Sequence, residues 1–394
     1  MTRYLKLFVC LTASLTAAAL AQTTDQPEAT KTSSPVAFVY VSSPTGIDAF
    51  ASGSNGRLTP VPGSPFAGAV NSMSVNRKYL FGAGVNATDI FTFSIGANGA
   101  LKQVSEINAQ TYNPGNCGGM GPLQIDYAGT TLYNQVNAGC QSGYQSFHIE
   151  ANGALKFLSA AASGVPTDVL LYPLSPAILL GIDSFAYQMG IVKPGGAGFP
   201  GVAEVFYQRL PNGALQNAGG LGVEPGAKNP IDLLCPFLLA GDPSDHLAIA
   251  WHDLNALGEP AGSDVLVPFT AHGAGNLSTT STIDDIPSID LPSTSAMSIS
   301  PSGELLVVGG QNGFELFHFN GPKPITFYTG ALQTNDQFLQ FGWDGHNHLY
   351  ALSVGPSPYQ LRVYTVTSTS FTEDPGSPLT VPGSASSLIV RALD

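Results

Sequence analysis

Ser300-Pro-Ser-Gly-Glu304-Leu-Leu-Val-Val308-Gly-Gly-Gln-Asn-Gly313-Phe-Glu-Leu-Phe-His-Phe-Asn320-Gly321 holds a complete structural unit. It opens on a turn, runs through a short apolar strand from Leu305 to Val308, and turns again between Gly309 and Gly313. A strand of alternating pattern follows (Phe314, Leu316, Phe317, Phe319), and Asn320-Gly321 turns the chain once more. The rest of the chain reads as further copies of this unit and the connections between them.

One turn signal marks the copies. Asn-Gly followed closely by Leu stands at Asn55-Gly56, Asn98-Gly99, Asn152-Gly153 and Asn212-Gly213, with weaker forms at Gly275-Asn276 and Asn320-Gly321. Asn-Gly suits the positive φ angles of a type I′ turn, so each copy is expected to tip a β-hairpin. An alternating strand leads into each tip, as in Asp89 to Ile95 and Tyr144 to Ile149. Before it lies a uniformly apolar strand, such as Tyr79 to Val85 or His348 to Val354, of the kind buried on both faces. An innermost strand precedes six of these pairs: Ser72 to Val75, Leu123 to Ile125, Asp168 to Tyr172, Ile231 to Leu239, Ala296 to Ser300 and Phe338 to Gly342. The first unit lacks one, and Ser387 to Leu393 supplies it from the far end of the chain.

From Val36 to Asp394 this makes seven units of about 51 residues, close to the roughly 40–50 of propeller blades. The expected fold is all-β: one seven-bladed β-propeller over 36–394, closed by pairing the C-terminal strand into the N-terminal blade so that no sheet edge is left open. A pair of sandwiches would need a linker dividing the chain, and none is visible.

Ser300-Pro-Ser-Gly-Glu-Leu-Leu-Val-Val resembles the S-P-D-G-x-x-L-Y-V signature of the YVTN-type, lactonase-like (6-phosphogluconolactonase-like) seven-bladed propellers. Echoes stand at Asp126-Tyr-Ala-Gly-Thr-Thr-Leu-Tyr133 and Trp343-Asp-Gly-His-Asn-His-Leu-Tyr350. The resemblance covers nearly all of 36–394 and implies the same fold and, through the family, hydrolysis of a sugar lactone. Lactonase-like members carry Pro-Arg-His or a similar triplet leading into their innermost strands. The corresponding triplets here, among them Val70-Asn71-Ser72 and Asp336-Gln337-Phe338, contain no Arg or His.

Composition narrows the partners. Lys and Arg number 14 against 27 Asp and Glu, and charged residues make up 10% of the chain. The basic residues are scattered singly, so neither nucleic acid nor an anionic membrane surface is expected as a partner. Residues 1–21 read as a secretory signal, with Arg3 and Lys6 before an apolar run from Leu7 to Leu20 and cleavage near Ala21. Residues 22–35 read as a flexible polar leader. The run is too short to span a bilayer, and export to the periplasm or the extracellular space follows. Export permits disulfides: Cys117 and Cys140 lie in Gly-rich loops and are the expected pair, whereas Cys235 sits in an apolar run as a buried thiol.

Propeller loops that enter the innermost strand or leave the second strand share one face. Here they are the long ones, including Asn108 to Gly121, Ser184 to Val202 and His252 to Ser263, and a binding site is expected there. Trp251-His252-Asp253 is the best titratable cluster. With Asp168, Asp232 and Asp336 it would make an acidic mouth, with His252 as a candidate base and Trp251 as a stacking platform for a sugar-like ligand. Asp284, Asp285 and Asp290 are a weaker calcium candidate, and His346 and His348 read as turn residues before zinc ligands. Gly196-Ala-Gly198-Phe-Pro-Gly201 matches a dinucleotide fingerprint only as text, with Pro200 inside and no helix after it. No cofactor is expected. The leading expectation is an exported module binding a protein or carbohydrate-like ligand, with a lactonase-like hydrolase as the alternative.

Overall fold

The computed structural model describes residues 34–112, 120–136, 143–162, 169–173, 178–183, 204–221, 233–242, 244–254, 262–271, 277–282, 284–355 and 358–393. Among them the strands form seven antiparallel sheets, and Ala109–Tyr112 makes one short 3-10 helix. We number the sheets by the chain order of their second strand. Sheet 1 holds Ala37–Ser43, Gly46–Ser52 and Leu58–Pro60, with Ser387–Ala392 on the other side of Ala37–Ser43. The first strands of sheets 2 to 7 are Val70–Val75, Met120–Ile125, Val169–Pro173, Leu233–Gly241, Thr294–Ile299 and Gln337–Trp343. They lie within three residues of the innermost strands read from sequence.

These first strands touch in order. Val70–Val75 lies against Met120–Ile125, and each contacts the next as far as Gln337–Trp343. That strand lies against Ser387–Ala392, which in turn lies against Val70–Val75. Ser387–Ala392 pairs antiparallel with Ala37–Ser43, placing Leu388 opposite Val41 and Arg391 opposite Phe38. Side chains fasten it on both flanks: the Leu388 N–H donates to Gln340 Oε1 at 2.8 Å, and the Met73 N–H donates to Ser387 Oγ at 3.2 Å.

Burial explains why uniformly apolar runs became second strands. Ala37–Ser43, Thr131–Val136 and Leu305–Gly310 are buried at every position. The core is a series of layers between successive sheets. One of them unites Val39, Val41 and Leu388 with Tyr350, Leu352 and Leu361 of sheet 7. Tyrosines stitch neighbours together: Tyr40 donates to the Gly99 carbonyl at 3.0 Å, and Tyr133 to the Gly213 carbonyl at 3.1 Å.

The Asn-Gly tips are hairpin turns, but not of type I′. Gly56, Gly99, Gly153 and Gly213 have φ between 73° and 90°, whereas the asparagines before them are absent from the residues of positive φ. Each asparagine Oδ1 instead accepts the N–H two residues on, as from Ala154 to Asn152 at 3.0 Å. That bond keeps Asn in the right-handed region, and Gly alone takes the left-handed position of a bulged three-residue loop. A second capping pattern closes the turns between first and second strands. Asp242 Oδ1 accepts from the N–H groups of Ser244 (2.7 Å) and His246 (3.0 Å), and Asp344 Oδ1 from those of His346 (2.7 Å) and His348 (3.0 Å). Because the strands alternate in direction, both sets of tight turns lie at one end of the sheets and the long connections at the other.

Candidate functional site

His252 lies near the end of His246–Leu254, the second strand of sheet 5, at the long-loop end. Its register partner is Cys235, and the pairing slips between Pro236 and Leu238, so Phe237 is the extra residue of a bulge. A bulge re-aims its side chain. Here the Phe237 ring stacks on the His252 imidazole, with centroids 3.7 Å apart and planes 8° from parallel. His252 Nδ1 lies 2.7 Å from Asp264 Oδ1, and both side chains are about one-fifth exposed. Asp264 immediately precedes the third strand, whose Val265 pairs with Trp251, so the sheet register itself brings it to His252. A carboxylate on Nδ1 fixes the ring's orientation and favours the tautomer with its proton on that nitrogen.

Trp251 takes no part in this surface. It is fully buried, its ring tilted against Phe269 with centroids 6.1 Å apart. Successive strand residues point to opposite faces, so exposing His252 sends Trp251 into the core. The aromatic ring at this site is Phe237, and its face is turned to His252 itself. Asp253 occupies the next strand position, opposite Leu234.

Asp336 does not stand as an open acid. It is buried, and its Oδ2 accepts from Arg362 Nη2 at 2.7 Å and Nε at 3.1 Å. Arg362 also bonds Glu373 Oε1 at 3.1 Å and Gln360 Oε1 at 2.8 Å. The pair lies within sheet 7, whereas His252 belongs to sheet 5, and Asp336 contributes no uncompensated charge to an acidic mouth. Asp168 and Asp232 lie outside the described residues, as do Cys117, Cys140, residues 1–33 and the Gly196–Gly201 stretch. The side chains of Asp253 and Cys235 do too.

Asp290, one of the three acids of the calcium candidate, is exposed. Its backbone N–H donates to Glu315 Oε1 at 2.7 Å. Glu315 is completely buried, and burial raises its carboxyl to about 7 despite that hydrogen bond. His348 Nδ1 is held by Asp344 Oδ2 at 2.7 Å, and Tyr350 bonds the same oxygen at 2.9 Å and Ser52 Oγ at 2.7 Å. Among the described residues no three His, Cys, Asp or Glu side chains gather as a metal site.

No family model matches the sequence, and no curated protein matches it. Solved structures do match, over nearly the full length of both partners. A protein of Lactobacillus plantarum has a TM-score of 0.63 at 16% identity, covering 91% of this chain and 100% of its own. The periplasmic gluconolactonase of Pseudomonas aeruginosa has a TM-score of 0.59 at 16% identity, covering 91% and 99%. A candidate 6-phosphogluconolactonase of Bacteroides fragilis has a TM-score of 0.59 at 13% identity, covering 93% and 99%. The chain is a β-propeller. At these identities the likeness concerns the fold alone.

Among the described residues the long-loop end brings together Phe237, His252 and Asp264, of which the sequence singled out only the histidine. Asp264 was recognisable as the start of an alternating strand, but only the register of that strand on His246–Leu254 sets it beside His252. Phe237 carried no signal, because a bulge is not written in periodicity. No helix among the propeller's described residues is long and apolar enough to cross a membrane.

Proposed function

We propose that the propeller is a seven-bladed ring, shut where Ser387–Ala392 joins Ala37–Ser43, that binds a protein or carbohydrate-like ligand on its long-loop face without chemistry of its own. The observation that carries this reading is the His252 site. A partly exposed imidazole, held flat on Phe237 and oriented by Asp264, is a rigid surface with polar edges, and rigidity lowers the entropic cost of recognition. A flat ring with polar edges suits a sugar ring in particular. Export after cleavage near Ala21, a polar leader over 22–35 and a Cys117–Cys140 bridge complete the proposal. Intact-mass measurement of secreted protein, before and after reduction, tests the cleavage and the bridge.

Lactone hydrolysis is the second reading. Histidine oriented by a carboxylate is the arrangement of a general base, and two of the similar structures carry lactonase names. Two assays separate the readings. The purified protein is incubated with a panel of aldonolactones and, separately, applied to a glycan array, each beside His252→Ala. Glycan binding lost in the variant, with lactones untouched, supports the binding module. Lactone turnover abolished by His252→Ala replaces it with a hydrolase. Neither glycan binding nor turnover would remove His252 as the site.

A further inference from the structure

A cavity of about 930 Å³ opens at the opposite, tight-turn end of the propeller, wholly within described residues. This falls in the roughly 300–1,000 Å³ of small-molecule sites. Its wall is built from the ends of three first strands and the turns that follow them: Met73–Val75 with Asn76–Lys78, Leu123–Ile125 with Asp126–Gly129, and Ile389–Ala392. The sequence reading placed nothing but hairpin chemistry at this end.

The charge of the wall is unusual for this chain. Only 14 of 394 residues are Lys or Arg, outnumbered by 27 acids, yet Arg77, Lys78 and Arg391 all line this one cavity. Two acids share the lining, Asp126 and Glu150. Asp126 is neutralised by its ion pair with Arg209, and its Oδ1 accepts the N–H groups of Thr130 at 2.8 Å and Thr131 at 3.0 Å. Even with Arg77 left out of the count, Lys78 and Arg391 outnumber Glu150, so the lining is net positive in a protein that is net negative overall, and concave walls focus such a field.

The wall is also pre-organised. Asn76 Oδ1 accepts the N–H groups of Lys78 at 2.9 Å and Tyr79 at 2.8 Å, while its amide donates to the Gly129 carbonyl at 2.9 Å. That one side chain ties the cationic turn of sheet 2 to the turn of sheet 3. Gln340 lines the cavity with its Oε1 already engaged by the Leu388 N–H, which leaves its NH2 as the donor. The lining thus offers cations and amide donors on a fixed frame, in a space far larger than a bare inorganic ion.

We infer that this cavity binds a small organic oxyanion, a carboxylate or phosphate ester on a polar carbon skeleton, with Arg77, Lys78 and Arg391 neutralising its charge. This site is separate from the His252 face, and it stands or falls without it.

The test is calorimetric titration of the purified protein with glucuronate, glucose 6-phosphate and uncharged glucose, at low and high salt. Anions are expected to bind, glucose not to bind, and affinity to fall as salt rises. Between the two anions, the tighter one distinguishes carboxylate from phosphate chemistry. Replacing one charged partner of an anion should weaken binding about tenfold or more, so Arg391→Gln and the double variant Arg77→Gln/Lys78→Gln should each do so. Lys323→Gln, the same charge change on an exposed turn elsewhere, should leave affinity unaltered. Arg77 and Lys78 are exposed, so the double variant keeps the fold and carries the test even if Arg391→Gln, whose guanidinium lies over Phe38, disturbs it. Glucose binding as well as the anions, no anion binding at millimolar concentration, or equal weakening by Lys323→Gln would each overturn the inference.

Discussion

Leu388→Ala probes the proposed closure. Leu388 is 1% exposed, stands opposite Val41 in the strand pairing, and packs in the layer that joins Val39 to Tyr350 and Leu352. The substitution removes roughly three methylene-sized groups at about 0.8 kcal/mol each, a transfer loss near 2.4 kcal/mol. Strands fixed on both flanks by hydrogen bonds relax little into the space, and the residual cavity should bring the total to about 3–4 kcal/mol. The assay is urea unfolding followed by the fluorescence of Trp251 and Trp343, the chain's two tryptophans, both buried. Val104→Ala, at a position 42% exposed, is the matched control and should fall within about 0.5 kcal/mol of wild type. A loss at Leu388 no larger than at Val104 would mean that the C-terminal strand contributes nothing to the core, and the proposed closure would fail with it.

Other expectations concern the buried polar groups. His348 is pulled down by burial but raised on balance above its ordinary 6.5 by the Asp344 carboxylate, and Asp344, which burial alone would raise, is lowered by its hydrogen bonds to His348 and His346. The histidine's contribution is full below 6.5 and fades as pH rises through its folded value. The aspartate's is full above 3.8 and fades as pH falls through its own. Melting curves of wild type against His348→Gln should therefore differ most between those two values and converge at alkaline pH. Glu315, raised by burial from 4.5 to about 7, loses stability for the fold as pH climbs between those values, so Glu315→Gln should be more stable than wild type at pH 8, by about 3 kcal/mol. Equal stability at pH 8 would refute it. Arg362→Gln strands the buried Asp336 carboxylate and should cost about 3 kcal/mol at neutral pH, read as a lowered urea midpoint. Tyr133→Phe deletes the bond to the Gly213 carbonyl between sheets and should cost about 1 kcal/mol by the same measurement.

What the chain determined on its own was whatever neighbours in sequence decide. Alternation along Asp89–Ile95, uniform apolarity from Leu305 to Val308 and the recurring Asn-Gly tips are local chemistry, and strands and turns formed where they were read. Even there the turn type was misjudged, because Asn side-chain hydrogen bonding outweighs the tolerance of Asn for positive φ.

Tertiary structure alone decided which polar groups meet. His252 owes Asp264 to register and Phe237 to one extra residue in a neighbouring strand. Trp251 lost its expected role to the strict alternation of a pleated strand. Asp336 found Arg362, 26 positions away, and Arg77, Lys78 and Arg391 reached a common cavity from opposite ends of the chain. Composition records how many charges a chain carries. Which charges face one another depends on how the sheets pack, and no local pattern in the sequence encodes that.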